Sequence, residues 1–567
     1  MLNYTQVALT WLELGQGQPR LDDVVAIIRQ FHRDSLLTVL IRLNLALTHS
    51  RGPSQEDIVR KWLVPDKAEA VLRVLRQGPP TKVLFHEGQV LNAIRLALLH
   101  SPQDEGFRLG TMGELELLTG ALLMLSALMF PEGPEQPRRA GIFSTMTRGE
   151  VFRHDETYLP NVMSRCYDLF VGLPPIVKSA GPLGDMRGLF RQATGMEFED
   201  YLALAFGVLV FYDNLDPEDV GNAPVGVQRS AWLSETLIAA ETRDRLWTQL
   251  SLPLDRYRDE VRSEWERAGD AGRWAAMRVF SEHPMIEFPD GSLVCVSRRL
   301  LRDRFTHGMY WIIANSLMGN ARNTFTNFFG EVFEEYIRRC MLRSLGRGFH
   351  ARVTYGPRTR PLVDGALVTP RSLALMESKA ARLLLRAREI GAEADLQASV
   401  ERVLEEAAAQ LADGIRAGQD GQLVGLGVHG ETRYYPIIVT YDPLPAHPFA
   451  LELYDRILYR AGRLGGANVR PVTLMNTRDV ESLEAIVGDG EEWPDFLFRK
   501  QTPRYRYLPF HNYVYERFPG GIPKNPYLAA RWRRVGEMIG MRLFDEPLTV
   551  AEHPRPRRMR GRRGRRR

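Results

Sequence analysis

Cysteine is scarce in this chain, with only Cys166, Cys295 and Cys340 among 567 residues. Three widely separated thiols cannot form a disulfide framework or supply a four-cysteine zinc site, and their scarcity fits a reducing compartment. A long apolar run is also missing. The most apolar stretch, Leu115 to Phe130, is interrupted by Glu116 and falls short of the roughly 18 residues that suggest a membrane span. Met1 to Leu14 lacks the basic flank and apolar core of a signal peptide. A cytoplasmic protein with no membrane association is therefore expected. No Gly-x-x-x-x-Gly-Lys-Ser/Thr loop occurs, so any ATP motor must be a separate partner, and no His-Glu-x-x-His motif offers a zinc hydrolase. Gly425-x-Gly427-x-x-Gly430 has the letters of a dinucleotide fingerprint, but the strand-like Tyr434 to Thr440 follows where a helix is required.

What is present is the composition of a globular protein, 44% hydrophobic and 25% charged. Its length calls for two to four domains. The net charge of +5 is misplaced as a guide, because His553 to Arg567 contains nine arginines and no acid. Without those arginines the net charge is −4. This tail is too polar to join a core and is expected to be disordered, with phosphate attraction as its function.

Periodicity divides the rest. Residues 1–130 read as a helical domain: Val24, Ile27, Ile28 and Phe31 recur at helical spacing, and Ser54 with Asp57 and Thr111 with Glu114 are placed to cap helices. The Pro-rich 131–139 is the clearest linker. A second mainly helical region spans 142–283, with helices at Phe198 to Phe211 and Asp244 to Ala275. His154-Asp155-Glu156 lies in it, but adjacent side chains diverge, so a solvated loop is the better reading than a metal site. Residues 284–490 read as an α/β domain. It opens on a hairpin, Met285 to Phe288 and Leu293 to Val296, turning at Asp290-Gly291. A helix over Asn323 to Leu345 has an apolar face of Phe325, Phe328, Phe329, Phe333, Tyr336 and Ile337. Two strands within Pro361 to Lys379 come next, then a helix from about Ala381 to Ala417. Strand-like Tyr434 to Tyr441, a helix at Ala450 to Arg460, strand-like Val469 to Met475 and a helix at Asp479 to Val487 complete it. Residues 491–552 form an aromatic and basic strap, and 553–567 the tail. In the strap, Arg499, Lys500, Arg504, Arg506 and Arg517 alternate with aromatics; packing of the rings with the cations exposed is favoured over base stacking.

The chemistry sits in Pro361 to Ala380. Pro370-Arg371 separates two apolar runs, so Thr369 pairs with Ser372, and that register puts Asp364 opposite Glu377 on one face. Lys379 shares the face through the two-residue strand period. Two facing carboxylates repel unless a hard cation lies between them. An adjacent ammonium is suited to orient water or to meet charge on a phosphate, and a bound metal lowers the pKa of its water.

Asp364 with Glu377-Ser378-Lys379, preceded by the helical Gly330-Glu331-Val332-Phe333-Glu334, resembles the PD-(D/E)XK nuclease superfamily, whose fold is that of restriction endonucleases. The resemblance covers roughly Thr324 to Val487. It implies a restriction-endonuclease-like mixed sheet flanked by helices, fused here to a mainly α-helical N-terminal region. It also implies catalytic residues Glu334, Asp364, Glu377 and Lys379, with Asp364, Glu377 and Glu334 as ligands of Mg²⁺ or Mn²⁺. Glu331, one turn earlier, is the alternative to Glu334; Glu335 is disfavoured. Val363 stands where the family name has proline. Gln410, on the following helix, occupies a place where related nucleases sometimes carry a site glutamine. The expected activity is metal-dependent cleavage of nucleic acid, DNA ahead of RNA, with bacterial antiviral defence as an attractive setting. Beyond nucleic acid, the expected partners are a protein supplying ATPase or sensing activity and a second copy of the chain. The rival expectation is a catalytically inactive nucleic-acid-binding or scaffolding protein with a vestigial nuclease fold.

Overall fold

The computed structural model describes residues 7–49, 52–77, 82–129, 158–177, 181–215, 226–345, 348–353, 363–380, 393–423, 426, 431–441, 444, 448–460 and 464–546. The linker 131–139, His154 to Glu156, the glycines 425, 427 and 430, and the arginine tail lie outside them. The architecture is mixed α/β and dominated by helices, with three small sheets among the described residues. Strands β1 (Val7–Ala8) and β2 (Lys82–Val83) form a parallel pair. Strands β3 (Gly226–Gln228), β4 (Ser251–Pro253), β5 (Met285–Glu287) and β6 (Ser292–Cys295) make a sheet of order β3-β6-β5-β4. The third sheet holds β7 (Phe349–Val353), β8 (Val363–Thr369), β9 (Ser372–Lys379), β10 (Arg433–Thr440) and β11 (Thr473–Asn476), in the order β11-β10-β9-β8-β7.

The local signals at the N-terminal end are realised as hydrogen bonds. Ser54 Oγ accepts from Asp57 N at 3.1 Å while the Asp57 carboxylate accepts from Ser54 N. Glu114 accepts from the amides of Gly110 and Thr111. The apolar helix Met112–Met129 is 18 residues long, and among the described residues it alone has the length and hydropathy to cross a membrane. Half of that window is buried inside the protein, with Leu118, Leu122 and Leu125 in the main core. Cys166, Cys295 and Cys340 are buried free thiols.

Two expectations for the middle of the chain are corrected. Asp244 to Ala275 is broken by β4 into Ala240–Leu250 and Leu254–Gly272, and the second stretch is itself kinked at Gly269. Pro253 explains the break, because the residue before a proline is pushed out of the helical region into extended geometry. The hairpin β5–β6 forms, with Met285 opposite Cys295 and Gly291 at φ +77° in its turn. It does not open the five-stranded sheet, however. It pairs with β3 and β4 in a sheet of its own.

In the five-stranded sheet, β7, β8 and β9 are antiparallel neighbours, whereas β9, β10 and β11 run parallel. Parallel neighbours need crossovers, and here the helices Glu393–Gln419 and Pro448–Tyr459 supply them. Strand alternation then divides the packing. Ala366, Leu373, Leu375 and Ile438 pack with Val400, Leu404 and Leu411 of the first crossover helix. Leu367, Ala374, Met376, Ile437 and Val439 join the larger core, which includes the aromatic face of the helix Gly319–Leu345. That core extends from Leu9 to Leu543, so the helical segments, this sheet and the C-terminal helix Pro526–Phe544 share buried surface.

Candidate active site

The turn at Pro370-Arg371 sets the hairpin. Thr369 pairs with Ser372, and the ladder runs through Leu367 opposite Ala374 to Gly365 opposite Met376. One rung further along lies Asp364, whose Oδ2 accepts the Ser378 amide at 2.7 Å. The aspartate thus closes the end of the hairpin beside Glu377. Between Asp364 and the apolar rungs stands Gly365. A Cβ there would meet the Phe349 ring at 2.7 Å and Met376 Cε at 3.1 Å. The absence of a side chain lets Phe349 pack against the strand immediately behind the acid.

On β9 the row Leu373, Leu375, Glu377, Lys379 lies on one face. Its first two members are core residues against the helix Glu393–Gln419, and the acid continues the row into equally buried space. Glu377 is 2% exposed. Its Oε1 accepts from Lys379 Nζ at 2.8 Å, and its Oε2 is buried with no hydrogen-bond partner among the described residues. The same ammonium donates to Gln410 Oε1 at 2.5 Å. Lys379 is therefore held between a carboxylate on its own strand and an amide on the crossover helix.

The neighbouring helical glutamates Glu334 and Glu335 differ. Glu335 turns to Arg338 and Arg339, at 2.6 and 2.7 Å, and these guanidinium hydrogen bonds hold its carboxyl below the usual range against burial, which acts to raise it. Glu334 faces the hairpin, and its charge acts on both Asp364 and Glu377. Burial raises the Asp364 carboxyl to about 8, helped next by the charge of Glu377 and then by that of Glu334. Burial also raises Glu377, with the Lys379 ammonium opposing it. Without a cation, Asp364 thus holds its proton near neutrality.

A divalent cation suits part of this donor set. Asp364 and Glu377 offer carboxylate oxygens, one of them buried and without a hydrogen-bond partner among the described residues, and burial raises the proton affinity of both. Among the described residues, however, no three His, Cys, Asp or Glu side chains are arranged to hold a metal ion together. Glu334 stands within electrostatic range of both hairpin carboxylates.

The strap departs from expectation at two residues, since the Phe498 ring is 40% exposed and Lys500 is buried. Phe496, Phe510 and Tyr513 are buried as ring packing requires, and Arg499, Arg504 and Arg506 pair with Glu491, Glu516 and Asp455. Lys500 is not exposed. It is 7% accessible and donates to the carbonyls of Tyr505 and Arg506 at 3.1 and 3.0 Å. Burial lowers its ammonium to about 8. The amide of Ser378, which ties down Asp364, carries no signal in the sequence because any residue supplies a backbone N–H.

No family model matches this chain, and no curated protein or solved structure matches it.

Proposed function

We propose that the chain is a metal-dependent nuclease with a restriction-endonuclease-like core built on the sheet β7–β11, acting on DNA in preference to RNA. The observation that carries this reading is the convergence of Asp364, Glu377 and Lys379 at one end of the β8–β9 hairpin, with Glu334 in electrostatic reach. In this reading Asp364 and Glu377 hold Mg²⁺ or Mn²⁺, and Glu334 adds negative potential behind them. A bound divalent cation supplies an acidified water and offsets charge on a phosphodiester. Lys379, steadied by Gln410, orients the attacking water and meets negative charge on the phosphate. Glu377 keeps the ammonium aimed. The buried walls formed by Leu373, Leu375 and Leu411 lower the local dielectric, so each charge acts more strongly than it would in water. The arginine tail adds sequence-independent attraction to the substrate. A defence setting is an analogy drawn from a large helical region joined to a nuclease, since fold alone does not give biological role.

A vestigial, non-catalytic site is the second reading, in which Asp364 stays committed to the Ser378 amide and Glu377 to the Lys379 ammonium. Incubation of the purified protein with plasmid, single-stranded DNA and RNA in Mg²⁺, Mn²⁺ or EDTA separates the two. Cleavage that needs the cation and is lost in Asp364→Asn supports the nuclease. Cleavage undiminished by EDTA, or nucleic-acid binding without cleavage in either cation, overturns it.

A further inference from the structure

The helix that carries Glu334 is anchored from behind by buried charge. Tyr336 Oη donates to Glu481 Oε1 at 2.5 Å, and Arg165 grips both oxygens of the same carboxylate at 2.7 and 2.6 Å. Two turns further along the helix, Arg343 makes the equivalent two-point contact with Glu484 at 2.7 and 3.1 Å. Glu481 and Glu484 lie three residues apart on the helix Thr477–Gly488, which follows β11 directly. Each therefore presents an acid to the same side, and each receives a guanidinium from a different segment of the chain. Asn525 closes the arrangement by donating to Glu484 Oε2 at 2.9 Å and to the Glu481 carbonyl. Its own oxygen caps the C-terminal helix through Tyr527 N and Leu528 N. The Tyr527 ring lies 3.6 Å from the Arg343 guanidinium, and its hydroxyl donates to Asp168, beside the helix of Arg165. Four segments far apart in sequence thus meet in one polar ring.

Arg165, Tyr336, Glu481 and Glu484 are all nearly inaccessible to water. Buried pairs of this kind add little net stability over well-packed apolar residues, because desolvation offsets the attraction. They do select one geometry, since any rotation of a participating helix strands a charge. Tyr336 and Arg343 are seven residues apart, which returns to nearly the same helical face at about 100° per residue. Glu334, two residues before Tyr336, points about 200° away from that face.

We propose that the ring through Arg165, Tyr336, Glu481, Arg343 and Glu484 is the positioning device of the candidate site. It fixes the rotation of the helix Gly319–Leu345, and so holds Glu334 on Asp364 and Glu377. Through Arg165 the N-terminal helical region becomes part of what keeps the site in order. What Glu334 does once positioned rests on the nuclease reading; where it is held does not.

Tyr336→Phe and Arg165→Lys test this with little risk to folding, since the first removes one hydroxyl and the second keeps the charge. In EDTA at pH 8, Glu334→Gln alone should raise the melting temperature by relieving repulsion from the two hairpin acids. In the Tyr336→Phe or Arg165→Lys background that gain should fall by at least half, because the helix no longer presents Glu334 to the same place. A gain of equal size in all backgrounds, or no gain in the wild type, overturns the positioning role whether or not the protein cuts nucleic acid. In the cleavage assay the same two variants should lower kcat at least tenfold with KM within twofold, and should add nothing to Glu334→Gln. Additive losses would mean that the ring supports only the fold. An inactive wild type would remove the nuclease reading and leave the melting cycle to decide the inference by itself.

Discussion

Replacing Asp364 with asparagine should make the metal-free protein more stable, although it removes a central residue of the candidate site. The carboxyl is raised from 3.8 to about 8 by burial and by the charges of Glu377 and Glu334. A folded-state value above the unfolded one means that the folded chain binds more protons between about pH 4 and pH 8. Stability therefore falls as pH rises through that window. At about 1.4 kcal/mol per unit the ceiling is about 6 kcal/mol. The pair relaxes by sharing a proton and by opening the end of the hairpin to water, so about 2 kcal/mol is the expected net gain at pH 8. Asparagine keeps an oxygen for the Ser378 amide, so that hydrogen bond need not be lost. For a chain of this size the gain is worth about 2–4 °C at most. The assay is thermal unfolding of wild type and Asp364→Asn in EDTA from pH 5 to 8.5. The gap should be small at pH 5 and widen towards pH 8. Mg²⁺ at about 100 times its dissociation constant adds about 2.7 kcal/mol to the form that binds it, so the cation should close or invert the gap. A variant less stable than wild type at pH 8 in EDTA, or a gap independent of pH, would refute the reasoning.

Three further outcomes are expected. Asp364→Asn and Glu377→Gln should each lower cleavage in Mg²⁺ or Mn²⁺ by on the order of 10²–10³-fold, the loss typical of removing one charge-stabilising group; near-normal rates in either would place the chemistry elsewhere. Glu334→Gln should cost far more turnover than Glu331→Gln, and the opposite ranking in initial-rate measurements would move the helical acid one turn back. Deleting Pro554 to Arg567 removes nine positive charges, so nonspecific affinity should drop and its slope against log salt should flatten, by about 0.9 for each phosphate no longer neutralised. The cleavage rate at saturating substrate and low salt should survive that deletion, and its loss with folding intact would put arginines at the site itself.

How much of the fold and site is legible in the sequence depends on how local the information is. The register of β8 and β9 can be read because Pro370-Arg371 interrupts two apolar runs, and a turn of known position fixes every rung behind it. The aromatic face from Phe325 to Ile337 declares both its helix and its burial. Strand β4 cannot be read: three residues between two helices carry no period, and their pairing partner Met285–Glu287 lies over thirty residues on. The β5–β6 hairpin is recognisable as a hairpin, but local pattern says nothing about which sheet will accept it. Lys500 reads as a surface cation, since its partners are carbonyls that any residue could provide. The ion pair between Arg165 and Glu481 spans 316 positions, and a single sequence contains no trace of such a pairing.

The hairpin's energetics argue that its acids are there for something other than folding. The row Leu373, Leu375 invites a third apolar side chain at position 377, packed against the same crossover helix and needing no partner. The chain places a glutamate there, leaves one of its oxygens buried without a hydrogen bond among the described residues, and sets an aspartate beside it. Each choice is costly: a buried unpartnered acceptor costs about 1–3 kcal/mol, more for a charged group, and like charges on adjacent strands destabilise their pairing. Lys379 offsets only part of this, since Glu377 remains raised despite it. The surrounding fold makes the arrangement tenable. Gly365 admits Phe349, and the Ser378 amide fastens Asp364. Gln410 fastens Lys379, and two cores grip the sheet from either side. Rigid support around an unfavourable cluster of charge is what a site requires when its balance is restored by something it binds.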